Sequence, residues 1–457
     1  MDTEFSGKQP NVASRLERLP LSRYQHVIFL IIATAFLFDT MDTAALAYML
    51  GTIKADLGIT TAQTGLLASA SLLGMLVGAA AAGILSDKYG RKPIFQFSMV
   101  LWGAGSLFCG LSNTYLSLMA SRVLLGVGMG MELPIALTLV AEFLPTRLRG
   151  RYTAVLEGFL PIGFIAVGLL VYFLMPVLGW RGIFIVMAIP ALFLLVIRRV
   201  VPESPRWLEA TGKYGTAETT MAAIENHVMR ALRIKTLAAP VEGVITIGAD
   251  VEAGWLASVK DLWLPECRTR TVMLWIVWFF TLLGFYGLTS WLAALLQQAG
   301  YAVTKSILYT VVMSCAGIPG FMCAAWSLER WGRKPAAVFF LLGSAVFAFI
   351  YGQCAGHHLA VAELIVSGLL LQFFLFGMWC VIYAYTPELY PTRSRTTGSG
   401  MASAIGRIGS MIGPFGIGLI LPAMGQDGAF GIGAVCFLIS AISIVLLGVE
   451  TKGVPLT

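Results

Sequence analysis

Two phrases each occur twice in this chain, about 245 residues apart and in the same order. Gly83-Ile84-Leu85-Ser86-Asp87-Lys88-Tyr89-Gly90-Arg91-Lys92-Pro93 returns as Ser327-Leu328-Glu329-Arg330-Trp331-Gly332-Arg333-Lys334-Pro335, with the acid, the Gly, the Arg-Lys and the Pro in register. Glu142-Phe143-Leu144-Pro145-Thr146-Arg147-Leu148-Arg149 returns as Glu388-Leu389-Tyr390-Pro391-Thr392-Arg393-Ser394-Arg395, identical at Glu, Pro, Thr and both Arg positions. Two nearly constant offsets in one order require two structurally similar halves, a plan on which many secondary transporters rock about a central site.

The surroundings of those halves follow from composition. At 457 residues, with 58% hydrophobic and only 12% charged side chains, the chain is too apolar and too long for one soluble core. Runs of about 20 apolar residues, the length that crosses a bilayer as a helix, fall near 27–50, 62–85, 94–112, 115–141, 152–174, 180–200, 271–296, 304–328, 335–354, 360–386, 395–421 and 428–448. The fold class expected is all-α, a polytopic membrane protein of twelve transmembrane helices. They form two pseudo-symmetric six-helix bundles at 27–200 and 269–448, with an N-terminal segment 1–26, a polar linker 201–268 and a tail 449–457.

Met1 to His26 is polar and basic, and the apolar run after it is a full span, so this segment reads as retained rather than cleaved. Lys88, Arg91 and Lys92, then Arg147, Arg149 and Arg151, then Arg330, Arg333 and Lys334, then Arg393 and Arg395 fall in alternate loops. The positive-inside rule puts those loops and both termini in the cytoplasm, for a multi-pass protein of the cell inner membrane. Orientation thus accounts for the net charge of +7 without nucleic acid. Val12 to Leu19 fits a short amphipathic turn on the inner surface and equally a disordered basic tail. The seven Cys show neither a disulfide framework nor zinc spacing, and the four His lie outside the spans, so no metal or cofactor is expected.

An ionisable side chain at mid-bilayer costs about 2.5 to 3.5 kcal/mol on insertion scales, so each needs a partner, a cavity or a proton. The spans hold Asp39 and Asp42 in the first, Arg122 and Glu132 in the fourth, Glu157 in the fifth and Arg407 in the eleventh. Four acids face two bases, a surplus that protons relieve. Asp39, Asp42, Arg122, Glu132 and Glu157 are therefore the candidate coupling set, although Asp42 with Arg122 also reads as a buried pair that fixes packing. Arg407 lies among Gly406, Gly409 and Gly413, small residues that let helices approach. Its fork suits a carboxylate ligand, or pairing with Glu132 or Glu157.

Trp275, Trp278, Phe279, Phe285 and Tyr286 in span seven, with Phe373, Phe374, Phe376, Trp379, Tyr383 and Tyr385 in span ten, are dense enough to line an aromatic slot for a flat heteroaromatic ring. Aromatics in membrane helices also face lipid or fill the bundle, so the cluster outweighs its members. Asp87, Arg91, Glu142, Arg149, Glu203 and Arg206 in one half, with Glu329, Arg333, Glu388 and Arg395 in the other, are the candidate gate, exchanging ion pairs as the cytoplasmic side closes. Exposed pairs contribute only about 0 to 1 kcal/mol, but a merely solvated face has no need of the same spacing in both halves. Gly126, Gly128 and Gly130 follow no strand and read as helix packing, not as a nucleotide turn.

Taken together these residues resemble the major facilitator superfamily over essentially the whole chain. Asp87-Lys88-Tyr89-Gly90-Arg91-Lys92 is similar to its signature between spans two and three, and Pro202-Glu203-Ser204-Pro205-Arg206-Trp207-Leu208 to the motif after span six in the sugar-porter and organic-ion branches. Within the superfamily the chain resembles the bacterial niacin transporters at Phe38-Asp39-Thr40-Met41-Asp42, Glu132-Leu133-Pro134, Trp275-Ile276-Val277-Trp278-Phe279, Tyr383-Ala384-Tyr385-Thr386-Pro387-Glu388, Gly406-Arg407-Ile408-Gly409 and Glu450-Thr451-Lys452. The resemblance implies a proton-coupled transporter of a small aromatic carboxylate, nicotinate first. Substrate, proton and membrane lipid would be its partners, and the protein would work as a monomer. It also favours a coupling role for Asp42 and Arg122, whose positions match the acid and arginine of proton-coupled sugar porters.

Aromatic-acid proton symporters are a near alternative through Asp39-x-x-Asp42-Thr43-Ala44, with Thr40 where they carry Gly. The glutamine pair of sugar porters is missing from span seven, where Gln297 and Gln298 stand at the far end. Nicotinamide, a benzoate and a drug-like organic ion stay open as substrates, and a non-transporting sensor as another class. An ATP-driven pump needs a Gly-x-x-x-x-Gly-Lys-Ser/Thr loop, which is absent. Nor does the sequence offer the nucleophile and base of an enzyme.

Overall fold

The computed structural model describes residues 12–144, 152, 155–239, 260–265, 267–357, 360–391 and 394–453, and every regular element among them is helical. The long helices of the first half are α2 (Arg23–Leu57), α3 (Thr61–Tyr89), α4 (Arg91–Leu111), α5 (Tyr115–Phe143) and α6 (Phe159–Ala188), the last continuing through a 3₁₀ turn into α7 (Leu194–Val200). The second half holds α10 (Arg268–Gln298), α11 (Val303–Cys315), α12 (Gly317–Arg330), α13 (Arg333–Gly356), α14 (Val361–Glu388) and α15 (Arg395–Leu447). Before and between them lie the short α1 (Val12–Glu17), α8 (Pro205–Ala210) and α9 (Tyr214–Leu232).

The helix starts are written locally. Tyr24 N–H donates to Ser22 Oγ and Gln63 N–H to Thr60 Oγ1, each at 3.2 Å, while the Gln25 and Gln63 side chains accept from the cap backbone at 2.9 Å. These capping boxes satisfy donors that the first turn leaves open.

Among the described residues ten stretches are long and apolar enough to cross a membrane, and two of them, Val155–Val200 and Thr397–Leu447, have length for two crossings. Each contains one glycine with positive φ, Gly179 at 63° and Gly425 at 68°, a conformation that side chains with a Cβ rarely adopt. Neighbours prove a reversal at both. Gly163 lies against Thr40 and Gly168 against Tyr48, so the chain before Gly179 runs parallel to α2. After it, Ile185 lies against Gly110 and Ala191 against Gly103, antiparallel to α4. Likewise Gly409 and Gly413 follow Phe279 and Leu283 in step with α10, whereas Gly433 lies against Leu288 and Phe437 against Gly284. The result is twelve passes.

Lipid tails are as apolar as leucine, so helices in a bilayer hold together by close packing rather than by hydrophobic exclusion. Gly126 and Gly130 of α5 press on the Ser71 and Met75 carbonyls of α3, and Gly74 and Gly78 of α3 press back on Val123 and Val127; a Cβ at any of the four would overlap backbone. Gly128 meets α4 at Ser98 and Trp102. The glycine run in span four is thus a packing seam, as its sequence context suggests.

The halves meet unevenly. Gly65 of α3 touches Pro414, Phe415 and Gly418 of α15, Gly51 touches Gln297, and Gly168 touches Val311. The interface is closed at the end opposite the basic loops.

Of the two readings for the N-terminal segment, the helix is the one formed, but its apolar face packs on protein. Val12, Leu16 and Leu19 are buried against α8 and α9. Arg15 pairs with Glu225 at 2.7 Å and with Glu218, and Arg18 with Glu225 at 2.6 Å. Glu209 accepts from the Val12 N–H at 3.1 Å.

Candidate functional site

A narrow cavity of about 50 Å³ lies between the halves. Its walls follow helical spacing: Phe36, Asp39, Thr40 and Thr43 from α2; Glu157, Leu160 and Phe164 from span five; Trp278, Leu282, Phe285 and Tyr286 from α10; Trp379 and Tyr383 from α14. Met75 of α3 and Arg407 of α15 complete it. The space is large enough for a few water molecules.

Those side chains form a box. Trp278 lies edge-on to Tyr383 with centroids 5.4 Å apart and to Trp379 at 6.2 Å, Trp379 is 5.5 Å from Tyr383, and Phe285 is edge-on to Trp379 at 5.2 Å. Trp278 Nε1 donates to Thr386 Oγ1 at 2.9 Å, which fixes its ring, whereas Trp379 Nε1 has no acceptor among the described residues.

Charge in the cavity is unevenly satisfied. Arg407 Nη1 donates weakly to Met75 Sδ at 3.9 Å and makes no ion pair among the described residues, so the alternative pairing with Glu132 or Glu157 is not what the structure holds. Asp39 is 4% exposed with no donor on Oδ1, and Glu157 is 5% exposed. Glu132 stands outside the cavity wall, where its Oε2 accepts from Trp102 Nε1 at 2.9 Å. Asp42 and Arg122 face each other at 3.8 Å with at most 1% exposure, an ion pair too long for a hydrogen bond. Arg122 instead donates to Ser71 Oγ at 2.9 Å and sits over the Phe184 ring. A smaller cavity shares Thr43 and Tyr286 with the first and reaches Ser71 and Arg122, linking this pair to the main site.

Of the expected slot residues, Trp275, Phe279, Phe373, Phe374, Phe376 and Tyr385 lie off the cavity wall. Trp275 is edge-on to Trp263 at 5.5 Å, and Phe279 to its neighbour Phe280 at 5.2 Å. Tyr385 Oη donates to Val449 O at 2.5 Å, tying the tail to α14. Phe36, Thr43, Leu160, Phe164 and Leu282 were not anticipated; helical steps of three, four and seven from Asp39, Glu157 and Trp278 find them.

At the basic end the charges pair inside each half. Arg91 reaches Asp87 at 2.8 Å and Glu142 at 3.3 Å, while Glu203 accepts from the Arg91 and Lys92 N–H groups at 3.0 and 3.3 Å. In the second half Arg333 grips Glu388 with two bonds of 2.8 Å, and Glu450 accepts from the Arg333 and Lys334 N–H groups at 2.9 and 3.0 Å. Arg206 turns to Glu17 at 3.3 Å, Arg395 Nε donates to Pro387 O at 3.0 Å, and Glu329 is exposed without an ion pair among the described residues. Arg149 lies outside the described residues. Among the described residues no ion pair joins one half to the other, so in this conformation the charges clamp helices within halves. Glu450 was missing from the expected gate; its acid-hydroxyl pair with Thr451, echoing Glu203-Ser204, was the available signal.

Twelve passes, a two-half interface closed at one end and a polar cavity between the halves define a membrane transporter of the major facilitator fold. The family model described as "Sugar (and other) transporter" matches residues 24–457, and the chain belongs to that family. It is 34% identical over 446 residues to the "Niacin transporter NiaP" of Acinetobacter baylyi, covering 97% of this chain and 98% of that protein. It is 31% identical to the "Putative niacin/nicotinamide transporter NiaP" of Bacillus subtilis, covering 91% and 94%. Among solved structures, the partially occluded inward open conformation of the xylose transporter XylE from E. coli superposes with a TM-score of 0.75 at 20% identity, covering 95% of this chain and all of that one.

Proposed function

We propose that the protein takes up nicotinate, or a closely related aromatic carboxylate, together with protons across the bacterial inner membrane. The observation that carries this is Arg407, a half-buried guanidinium without an ion pair, standing in an aromatic box beside Asp39 and Glu157. The guanidinium binds the substrate carboxylate through its fork, and Trp278, Trp379, Tyr383 and Tyr286 take the ring. The niacin transporters of Acinetobacter baylyi and Bacillus subtilis, at 34% and 31% identity, support the same substrate.

In this reading residues 27–200 and 269–448 are the two rocking bundles, 201–268 the cytoplasmic linker, and both termini are cytoplasmic, so the closed end of the interface faces outward. Protons are carried by the carboxyl groups around the cavity. When Asp42 is protonated its attraction for Arg122 disappears, which changes how α2 and α5 hold each other and biases the halves toward one face. The charges at the basic end keep each bundle rigid as it moves, and the protein acts as a monomer in lipid.

The test is uptake of labelled nicotinate into proteoliposomes, with and without an imposed pH gradient. Accumulation that needs the inward proton gradient is expected. Nicotinate equilibration indifferent to the gradient removes the coupling, and absence of any nicotinate flux removes the substrate.

A further inference from the structure

We propose that Tyr48 is a gate residue of the transport cycle. Its hydroxyl turns between an acceptor in its own half, Phe164 O, and one across the seam, Ser314 Oγ, and the second bond holds the closed end of the interface together. The gate belongs to the seam alone and does not depend on which substrate the cavity takes.

Three helices from both halves converge on this residue. A Cβ at Gly168 of α6 would meet Val311 Cγ2 of α11 at 2.4 Å and Tyr48 Cζ of α2 at 2.9 Å, so the glycine makes the room in which the tyrosine ring reaches the seam. Tyr48 is 2% exposed, Ser314 0% and Gln372 1%, and polar atoms buried so deeply need partners from the protein. Among the described residues no ion pair joins the halves. The side-chain hydrogen bonds that do so among them are Tyr48 Oη with Ser314 Oγ at 3.5 Å and the weak contact of Arg407 with Met75.

A hydroxyl has one proton to give and two lone pairs to offer. Tyr48 Oη gives its proton to Phe164 O at 3.1 Å, and Ser314 Oγ gives its own to Thr310 O at 2.8 Å, each within its own half. Gln372 Nε2 donates to the same Ser314 Oγ at 3.4 Å and anchors it from α14. Turning the Tyr48 O–H toward Ser314 makes the bond across the seam, and turning it back satisfies the proton locally. Parting the halves therefore strands no hydroxyl. An ion pair at the same depth would leave two uncompensated charges on opening, so a hydroxyl pair suits a contact that must break in every cycle.

The gate also touches the site. Phe164 belongs to the wall of the main cavity and to that of a smaller chamber of about 10 Å³, which Tyr48, Thr289, Thr310 and Gln372 share. Its ring is edge-on to Phe376 at 5.4 Å and to Phe285 at 6.5 Å, while its carbonyl holds Tyr48. One residue thus lies between the substrate's space and the bond that closes the seam. Gln372 Oε1 has no donor among the described residues, which leaves an acceptor in the same patch for water as the seam opens.

The experiment follows a cysteine placed at Gln297, at the closed end, in purified protein in detergent without substrate, by its rate of labelling with a maleimide. Tyr48→Phe removes one oxygen and is expected to speed labelling about two- to tenfold, the range of one hydrogen bond. Ser314→Ala is expected to do the same from the other side of the seam, and it carries the test alone should Tyr48→Phe not fold. Combined, the two changes are expected to do no more than either one, because they delete the same bond. The control is Tyr115→Phe, whose hydroxyl donates to Gln63 O at 3.3 Å within one half and whose loss is expected to leave the rate unchanged. Unchanged labelling in folded Tyr48→Phe or Ser314→Ala protein overturns the inference, as does a double variant in which the two effects multiply. An equal increase with Tyr115→Phe overturns it too, by showing general loosening of the closed end. Since no substrate and no proton gradient are present, none of these results bears on the nicotinate reading.

Discussion

Glu203 and Glu450 occupy equivalent places in the two halves, each accepting from the two N–H groups that open a helix, Arg91 and Lys92 of α4 or Arg333 and Lys334 of α13. Each carboxylate follows the sixth pass of its half and clamps the third. The glycine before each helix, Gly90 at φ 107° and Gly332 at φ 101°, leaves room for it, since a Cβ there would run into the carboxylate.

Glu450→Gln keeps the shape and removes the charge from a helix N-terminus. It should lower stability by about 1 kcal/mol, read as a drop in melting temperature of the protein in detergent, with Glu203→Gln losing a similar amount. Unchanged melting for both variants means that the clamps are incidental.

Partial burial raises the Glu450 carboxyl, but N–H donors from Arg333, Lys452, Lys334 and Thr451 outweigh it and hold the group below its usual range. A depressed carboxyl stabilises above its unfolded value, about 4.3 for glutamate, and that stability is lost as pH falls through the folded value. The wild type should therefore lose its melting advantage over Glu450→Gln below about pH 4, measured by parallel melts across pH. A gap that stays constant in acid shows that the charge is not its source.

Asp42→Asn fixes one protonation state of the pair with Arg122. Gradient-driven accumulation should disappear while exchange of internal for external substrate continues, because a permanently neutral residue allows rocking but not coupling. Undiminished accumulation removes Asp42 from the mechanism.

At Gly65 a Cβ would meet Pro414 O at 2.6 Å and Phe415 Cα at 3.0 Å, both backbone atoms that cannot swing aside. Gly65→Leu should pry the outer ends apart and favour the outward-open form. A cysteine placed at Gln297 should then label faster from outside. Equal labelling rates in a folded variant would show that this contact does not hold the seal.

For Arg407, the discriminating comparison is between an acid and its amide. Arg407→Ala should weaken nicotinate binding by about 10- to 100-fold, the range of a hydrogen bond to a charged group, and nicotinamide binding far less. Arg407→Lys should fall between, keeping the charge but losing the fork. Equal losses for both ligands in a variant of normal melting temperature place the carboxylate elsewhere.

Much of this architecture is legible in sequence because membrane helices must satisfy their own backbone and so declare themselves as apolar runs. Residues forced to be ionisable at depth are equally conspicuous, and Asp39, Glu157 and Arg407 do meet in one cavity. Rotation about each helix axis is harder to read. Trp278 and Tyr383 face the cavity while Phe279 and Tyr385, one and two residues on, point away, since each residue turns the side chain by roughly 100°. In a helix apolar on every side no polar stripe marks the inner face. The Glu450 clamp was hidden for another reason, since it joins residues more than a hundred positions apart.

The single-glycine reversals at Gly179 and Gly425 leave passes five with six, and eleven with twelve, joined without slack. Each pair must move as one hairpin, and its tip offers a protease working from that side no extended strand to seat. Surface digestion of intact cells should spare both tips, and epitope tags belong in the longer segment between the halves, where added length does not strain a turn.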